Sequence, residues 1–268
     1  MNNLIKRTTT GIIFVAVLFS GIFWNKYSCF FLFFFISIAA LLEYYKIINK
    51  KVSPQKLMGG LISGSMLAAS FIHANGGSPK YFAISIAFVF LTFIVELYRK
   101  KEFPFNNIAH TLLGVIYIAG SFSLLNYIVH WNNQPYSPTI LAGIFILIWS
   151  NDTFAFIWGM SFGKHKLFKR ISPNKTWEGS IGGAISTLGI SYVISIYFTQ
   201  LSSIEWLGIA IIATIFGSLG DLTESILKRS LEIKDSGNIL PGHGGILDRF
   251  DAFILAIPFI FVYMIFIY

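Results

Sequence analysis

Asp221, Ser225 and Lys228 stand at i, i+4 and i+7 in the run GDLTESILKRSLEIKDSGNILPGHGGILDRFD, which begins at Gly220. On one helix these three share a face. That face offers a carboxylate to a hard cation, and a hydroxyl and an ammonium to phosphate. The run continues through Lys234-Asp235-Ser236-Gly237 and Pro241-Gly242-His243-Gly244-Gly245, too rich in glycine for helix or strand. Backbone of this kind turns through positive φ, approaches a ligand closely and presents successive N–H groups to anions. Asp248 and Asp251 follow at i, i+3, where an apolar segment begins. Carboxylates on both sides of a glycine-rich loop, interleaved with cations, suit a metal–phosphate site. Oxygen ligands hold Mg²⁺, while Lys and Arg neutralise phosphoryl charge.

From Ser225 to Asp251 the chain carries four acids, four bases and a histidine, in a protein only 12% charged. Ionisable groups at the edge of a bilayer are costly and mark a functional site by default. A solvated basic loop between spans would also be charged, but it would not need this order. The order S-x-x-K-R-x4-K-D-x-G-x2-L-P-x-H-G-G-x2-D-R-F-D resembles the phosphatidate cytidylyltransferase family (CDP-diacylglycerol synthases) at all 27 positions from Ser225 to Asp251.

Upstream, Ser150-Asn151-Asp152 lies inside an apolar span, where an Asp needs a partner or a wet cavity. A polar contact between helices is the alternative reading. Phe162-Gly163-Lys164-His165-Lys166 and Ser172-Pro173-Asn174-Lys175-Thr176-Trp177-Glu178-Gly179 follow. Pro173 and Asn174 predict a turn and Thr176 an N-cap. Lys175 is then a cation beside a helix N-terminus, a docking point for a triphosphate. These motifs resemble the same family and extend the likeness over the C-terminal half.

The resemblance implies that CTP and phosphatidate give CDP-diacylglycerol and pyrophosphate with Mg²⁺, leaving room for a second cation. Carried onto this sequence, Asp221 and Asp248 are the principal metal ligands, with Asp235 and Asp251 as supporting carboxylates. Lys228, Arg229, Lys234 and Arg249 clamp phosphates. His243 serves as a phosphate hydrogen-bond donor, because a phosphate monoester is already ionised near neutral pH. Ser225, Gly244 and Gly245 line the substrate site, and Asn151, Asp152 and Lys175 contact the nucleotide. Two other classes fit less well. A secondary transporter would show broken helices in related halves, and a CDP-alcohol phosphotransferase needs a D-G-x2-A-R-x8-G-x3-D-x3-D run that this sequence lacks.

The elements that must position these groups are membrane spans. The chain is 55% hydrophobic with mean hydropathy +0.69, and a soluble domain carries about twice its share of charge. Nine candidate spans emerge, near 8–24, 28–47, 57–74, 81–98, 109–130, 138–160, 177–199, 205–227 and 250–268. They predict an all-α polytopic bundle forming one membrane domain, with 1–135 as scaffold and 136–268 as the catalytic half. All but two of the 20 Lys and Arg fall in alternate connections, the exceptions being Lys26 and Lys80. This bias places the N-terminus and the signature on the cytoplasmic side, and the expected location is the cell inner (plasma) membrane. The net charge of +8 is spread over short loops, which argues against nucleic acid as a partner. The partners expected are CTP, phosphatidate and the bilayer, with a homodimer as a compatible assembly. One cysteine, Cys29, excludes an intramolecular disulfide and a multi-cysteine zinc site. Glu43 and Glu96 read as solvated interfacial charges, and Tyr44 and Tyr45 as interface anchors.

Overall fold

The computed structural model describes residues 3–131, 135–233, 235–237 and 244–267. Its helices are α1 (Asn3–Trp24), α2 (Lys26–Ile48), α3 (Lys56–Ala74), α4 (Phe82–Tyr98), α5 (Pro104–Gly114), α6 (Ser121–Ile128), α7 (Pro138–Phe162), α8 (Trp177–Tyr197), α9 (Ser203–Ser230) and α10 (Leu247–Ile267). A 3₁₀ turn precedes α4, and a π-helical segment, Val115–Gly120, joins α5 to α6. Among the described residues eight helical stretches are long and apolar enough to cross a membrane, and Thr8–Trp24 is a shorter apolar helix. Away from their ends, helices satisfy their backbone groups internally, as hydrocarbon requires. The polytopic all-α bundle expected from hydropathy is what the chain forms.

The chain divides into two compact units, Met1–His130 with Leu231–Arg249, and Trp131–Ser230 with Phe250–Tyr268. In the first, a capping box on Asn25 starts α2, its side chain accepting from the Tyr27 and Ser28 N–H groups. Tyr44 and Tyr45 are not interface anchors, being 2% and 0% exposed. The Tyr45 hydroxyl donates to the Thr111 carbonyl at 2.6 Å. Glu96 is not solvated either. It is buried and accepts from Arg99 at 2.8 Å, Asn107 at 2.8 Å and Gln55 at 2.5 Å. Three donors offset the desolvation of a carboxylate that would otherwise be too costly to bury. Glu43 is likewise 4% exposed rather than solvated.

In the second unit, Trp206 is fully buried and its indole N–H donates to the Phe198 carbonyl at 2.9 Å. Phe145 of α7 stacks on Phe253 of α10, with centroids 4.3 Å apart. The connection from α7 to α8 is a small antiparallel hairpin, β1 (Lys166–Phe168) with β2 (Ser172–Thr176). Pro173 and Asn174 therefore sit in a strand, and the reversal falls earlier, at 169–171. Proline is tolerated in such a strand because a two-stranded ribbon consists only of edges. Thr176 caps α8 as expected, accepting from the Gly179 N–H at 3.2 Å.

Candidate active site

Along α9, Asp221, Glu224, Ser225 and Lys228 recur at three- and four-residue spacing, so they lie on one side of a continuous helix. The Ser225 hydroxyl donates to Asp221 Oδ1 at 3.3 Å. Lys228 forms an ion pair with Glu224, which is 1% exposed. The second carboxylate source is Asp251, one turn into α10. The two helices meet at Gly220, where an added Cβ would stand 2.5 Å from the Asp251 carbonyl oxygen and 3.0 Å from Ala252 Cα. Only a residue without a side chain admits that approach. Asp221, Glu224 and Asp251 each bring an oxygen into a group whose members lie within 4.8 Å of one another. Three carboxylates at that separation, all oxygen donors, fit a hard divalent cation.

Lys175, the residue before the α8 cap, reaches the same group. Its ammonium pairs with Asp221 Oδ2 at 2.6 Å and donates to the Ser218 carbonyl at 3.4 Å. Asn151 of α7 is 2% exposed, and its amide donates to the Ser218 hydroxyl at 3.3 Å. Its Oδ1 is buried with no hydrogen-bond partner among the described residues. Asp152, next in sequence, is accessible from outside and lies within electrostatic reach of Lys175 and Asp221. Glycines on α8 allow α7 close. A Cβ at Gly183 would stand 3.0 Å from the Asn151 carbonyl, and one at Gly179 2.6 Å from that of Ala155.

Residues 231–249 of the signature belong to the first unit. Asp248, at the start of α10, accepts from the Ser236 N–H at 3.0 Å and the Gly245 N–H at 2.8 Å. Gly244 has φ +84°, and a Cβ there would sit 2.7 Å from Asp248 Oδ2, so the turn and the approach both require glycine. Asp235 and Arg249 are exposed, as is Arg229 at the end of α9. Lys234 and His243 lie outside the described residues.

The cytidylyltransferase family model matches residues 5–267. The chain belongs to this family. It is 36% identical to the phosphatidate cytidylyltransferase of Bacillus subtilis (strain 168) over 262 residues, 96% of each chain. It is 35% identical to that of Staphylococcus aureus (strain COL) over 237 residues, covering 86% of this chain and 88% of the relative. With the same enzyme of Staphylococcus haemolyticus it shares 41% identity over 184 residues, 68% of each chain.

For a cytidylyltransferase two features of the carboxylate cluster went unread in the sequence. Glu224 stands three residues after Asp221 and four before Lys228, so the helical spacing that picked out its neighbours also contains it. Ser218, which touches both Asn151 and Lys175, is one turn before Asp221 on the same helix. The described residues thus draw Asp221, Asp251, Lys175, Asn151, Asp152, Ser225 and Lys228 around one group, and join Asp248 to Ser236 and Gly245.

Proposed function

We infer that the chain is a phosphatidate cytidylyltransferase, converting CTP and phosphatidate to CDP-diacylglycerol and pyrophosphate at the membrane surface. The observation that carries this reading is the carboxylate cluster of Asp221, Glu224 and Asp251, with Lys175 bonded into it, in a membrane-spanning member of the cytidylyltransferase family. Both substrates are polyanions, one soluble and one lipidic, so the chemistry belongs at the boundary of a bilayer. A phosphatidate oxygen attacks the α-phosphorus of CTP, the new P–O bond forms as the bond to the β-phosphate oxygen breaks, and pyrophosphate departs. No covalent nucleophile of the protein is required.

Asp221, Glu224 and Asp251 would hold Mg²⁺, which would supply neutralisation of triphosphate charge. Lys175 binds a phosphate of CTP by exchanging its ion pair with Asp221 for a phosphate oxygen. Lys228 sets the carboxylate of Glu224. Ser225 fixes the orientation of Asp221 by donating to one of its oxygens. The uncommitted Oδ1 of Asn151 accepts a hydrogen bond from the nucleotide. Purified protein incubated with CTP, phosphatidate and Mg²⁺ is expected to release CDP-diacylglycerol and pyrophosphate, and to stop when the divalent ion is chelated. Undiminished turnover in chelator would remove the cation from the reading. Absence of product in the complete mixture would remove the reaction itself.

The distribution of Lys and Arg supports a cytoplasmic N-terminus and a site open to the cytoplasm, where CTP is found. A reporter fused after Tyr268 is therefore expected to lie outside the cell membrane. A cytoplasmic reporter at that position would reverse the assignment.

A further inference from the structure

Far from the signature in sequence, Glu43 of α2 reaches into it. The Oε2 of this buried carboxylate accepts from the Leu247 N–H at 2.9 Å and from the Ser236 hydroxyl at 3.4 Å. Among the described residues it has no cationic partner, and Oε1 has no hydrogen-bond partner at all. A carboxylate buried on these terms is costly in any protein and more so near hydrocarbon. Packing alone would be served as well by an apolar side chain, so the interest lies in what the two bonds hold.

Leu247 is the first residue of α10, and its N–H is one that a helix leaves without an internal acceptor. Glu43 supplies that acceptor from another helix, and with it a negative charge at a helix N-terminus. Ser236 is bound twice, by its hydroxyl to Glu43 and by its N–H to Asp248. The glycines of the signature fit this carboxylate. A Cβ at Gly237 would stand 2.4 Å from Glu43 Oε1, and one at Gly245 2.5 Å from Oε2. Ser236, Gly237, Gly245 and Leu247 thus form a slot around Glu43, and Asp248 is fixed by the backbone of two of them.

We propose that Glu43 is a positioning residue for the reaction, holding Ser236–Gly237 to Gly245–Leu247 and so fixing the placement of Asp248. The proposal rests on the signature's taking part in cytidylyl transfer. Glu43 touches neither substrate. Its removal lets the start of α10 and the Ser236 turn separate, and the carboxylate of Asp248 loses its orientation.

Glu43→Gln keeps the shape but replaces one oxygen by a donor and abolishes the charge. In the purified full-length protein its thermal midpoint is expected to stay close to the parent. Its kcat falls about tenfold, the worth of one charge-assisted hydrogen bond. KM for phosphatidate is unchanged. Without Mg²⁺ or substrate, amide exchange across 244–250 quickens. An unaltered kcat with unaltered exchange would overturn the proposal, as would a loss of turnover that only tracks loss of folded protein. Gly237→Ala tests the same contact from the other side by driving a methyl into the carboxylate. It should reproduce the loss of kcat in the parent and add nothing on a Glu43→Ala background, whereas full additivity would overturn the proposal. A parent protein that makes no CDP-diacylglycerol overturns the functional reading, and the exchange measurement then still decides whether Glu43 holds the segment.

Discussion

Asp221→Asn and Asp251→Asn each lower kcat by about 10²–10³-fold, the effect of removing one group that stabilises developing charge, while the protein stays folded. Asn preserves the outline of Asp and removes only its charge. Three carboxylates with oxygens within 4.8 Å repel one another unless a cation or a proton lies between them. Taking one charge away relieves that repulsion, so Asp251→Asn is expected to be no less thermally stable than the parent without Mg²⁺, whereas Asp221→Asn also gives up the ion pair with Lys175. For Asp251→Asn the kinetic loss and the stability change therefore have opposite signs, a pairing that a purely structural carboxylate would not give. Turnover against Mg²⁺ concentration, with a melting curve alongside, checks both. Near-normal kcat at low Mg²⁺ in either variant would sink the assignment. Asp248→Asn belongs in the same series, because its Mg²⁺ midpoint tells whether that carboxylate serves the cation or only the Ser236 and Gly245 amides.

Lys175→Ala is expected to lower kcat/KM for CTP by roughly 10–100-fold, as loss of one hydrogen bond between charged groups would do. Most of the change should fall on KM. In the structure the ammonium is committed to Asp221 at 2.6 Å, so its removal also leaves Asp221 with more negative field around it. The variant should accordingly bind Mg²⁺ alone at least as well as the parent while binding CTP worse. Steady-state kinetics with CTP varied, and titration with Mg²⁺ in the absence of nucleotide, separate the two effects. Unchanged CTP kinetics would return Lys175 to a topology-setting charge in a connecting loop.

Much of this was legible because a helix repeats. The apolar runs marked the spans to within a few residues, apart from the fifth, which begins at Pro104 rather than near 109. The i, i+4, i+7 spacing of Asp221, Ser225 and Lys228 puts them on one face of a helix. Thr176 announced a cap by its residue type and place. The failures share a different cause. Ser-Pro-Asn-Lys has the composition of a turn, yet pairing with Lys166–Phe168 drew it into a strand. Glu43, Glu96, Tyr44 and Tyr45 looked interfacial because a polar residue near a span end usually is. Their partners, Leu247 for Glu43 and Thr111 for Tyr45, come from distant parts of the chain, and no periodicity encodes them. Gly220 belongs to this group too, since its need for a bare Cα is set by Asp251 thirty-one residues later.

The length of α9 has a consequence for how a lipid is processed. Its 28 residues extend roughly 42 Å at 1.5 Å each, against about 30 Å for the hydrocarbon thickness. Asp221, eighteen residues from the helix start, stands roughly 27 Å along it, close to the far edge of the hydrocarbon if Ser203 marks the near one. A lipid anchored at its ordinary depth therefore presents its headgroup to the carboxylates without being lifted. Extraction would cost about 0.8 kcal/mol for every methylene withdrawn, and that cost never enters the barrier. Substrate and product differ only above this plane, so the diacylglycerol moiety stays dissolved in the leaflet throughout, the lipid arriving by diffusion in two dimensions and the nucleotide in three.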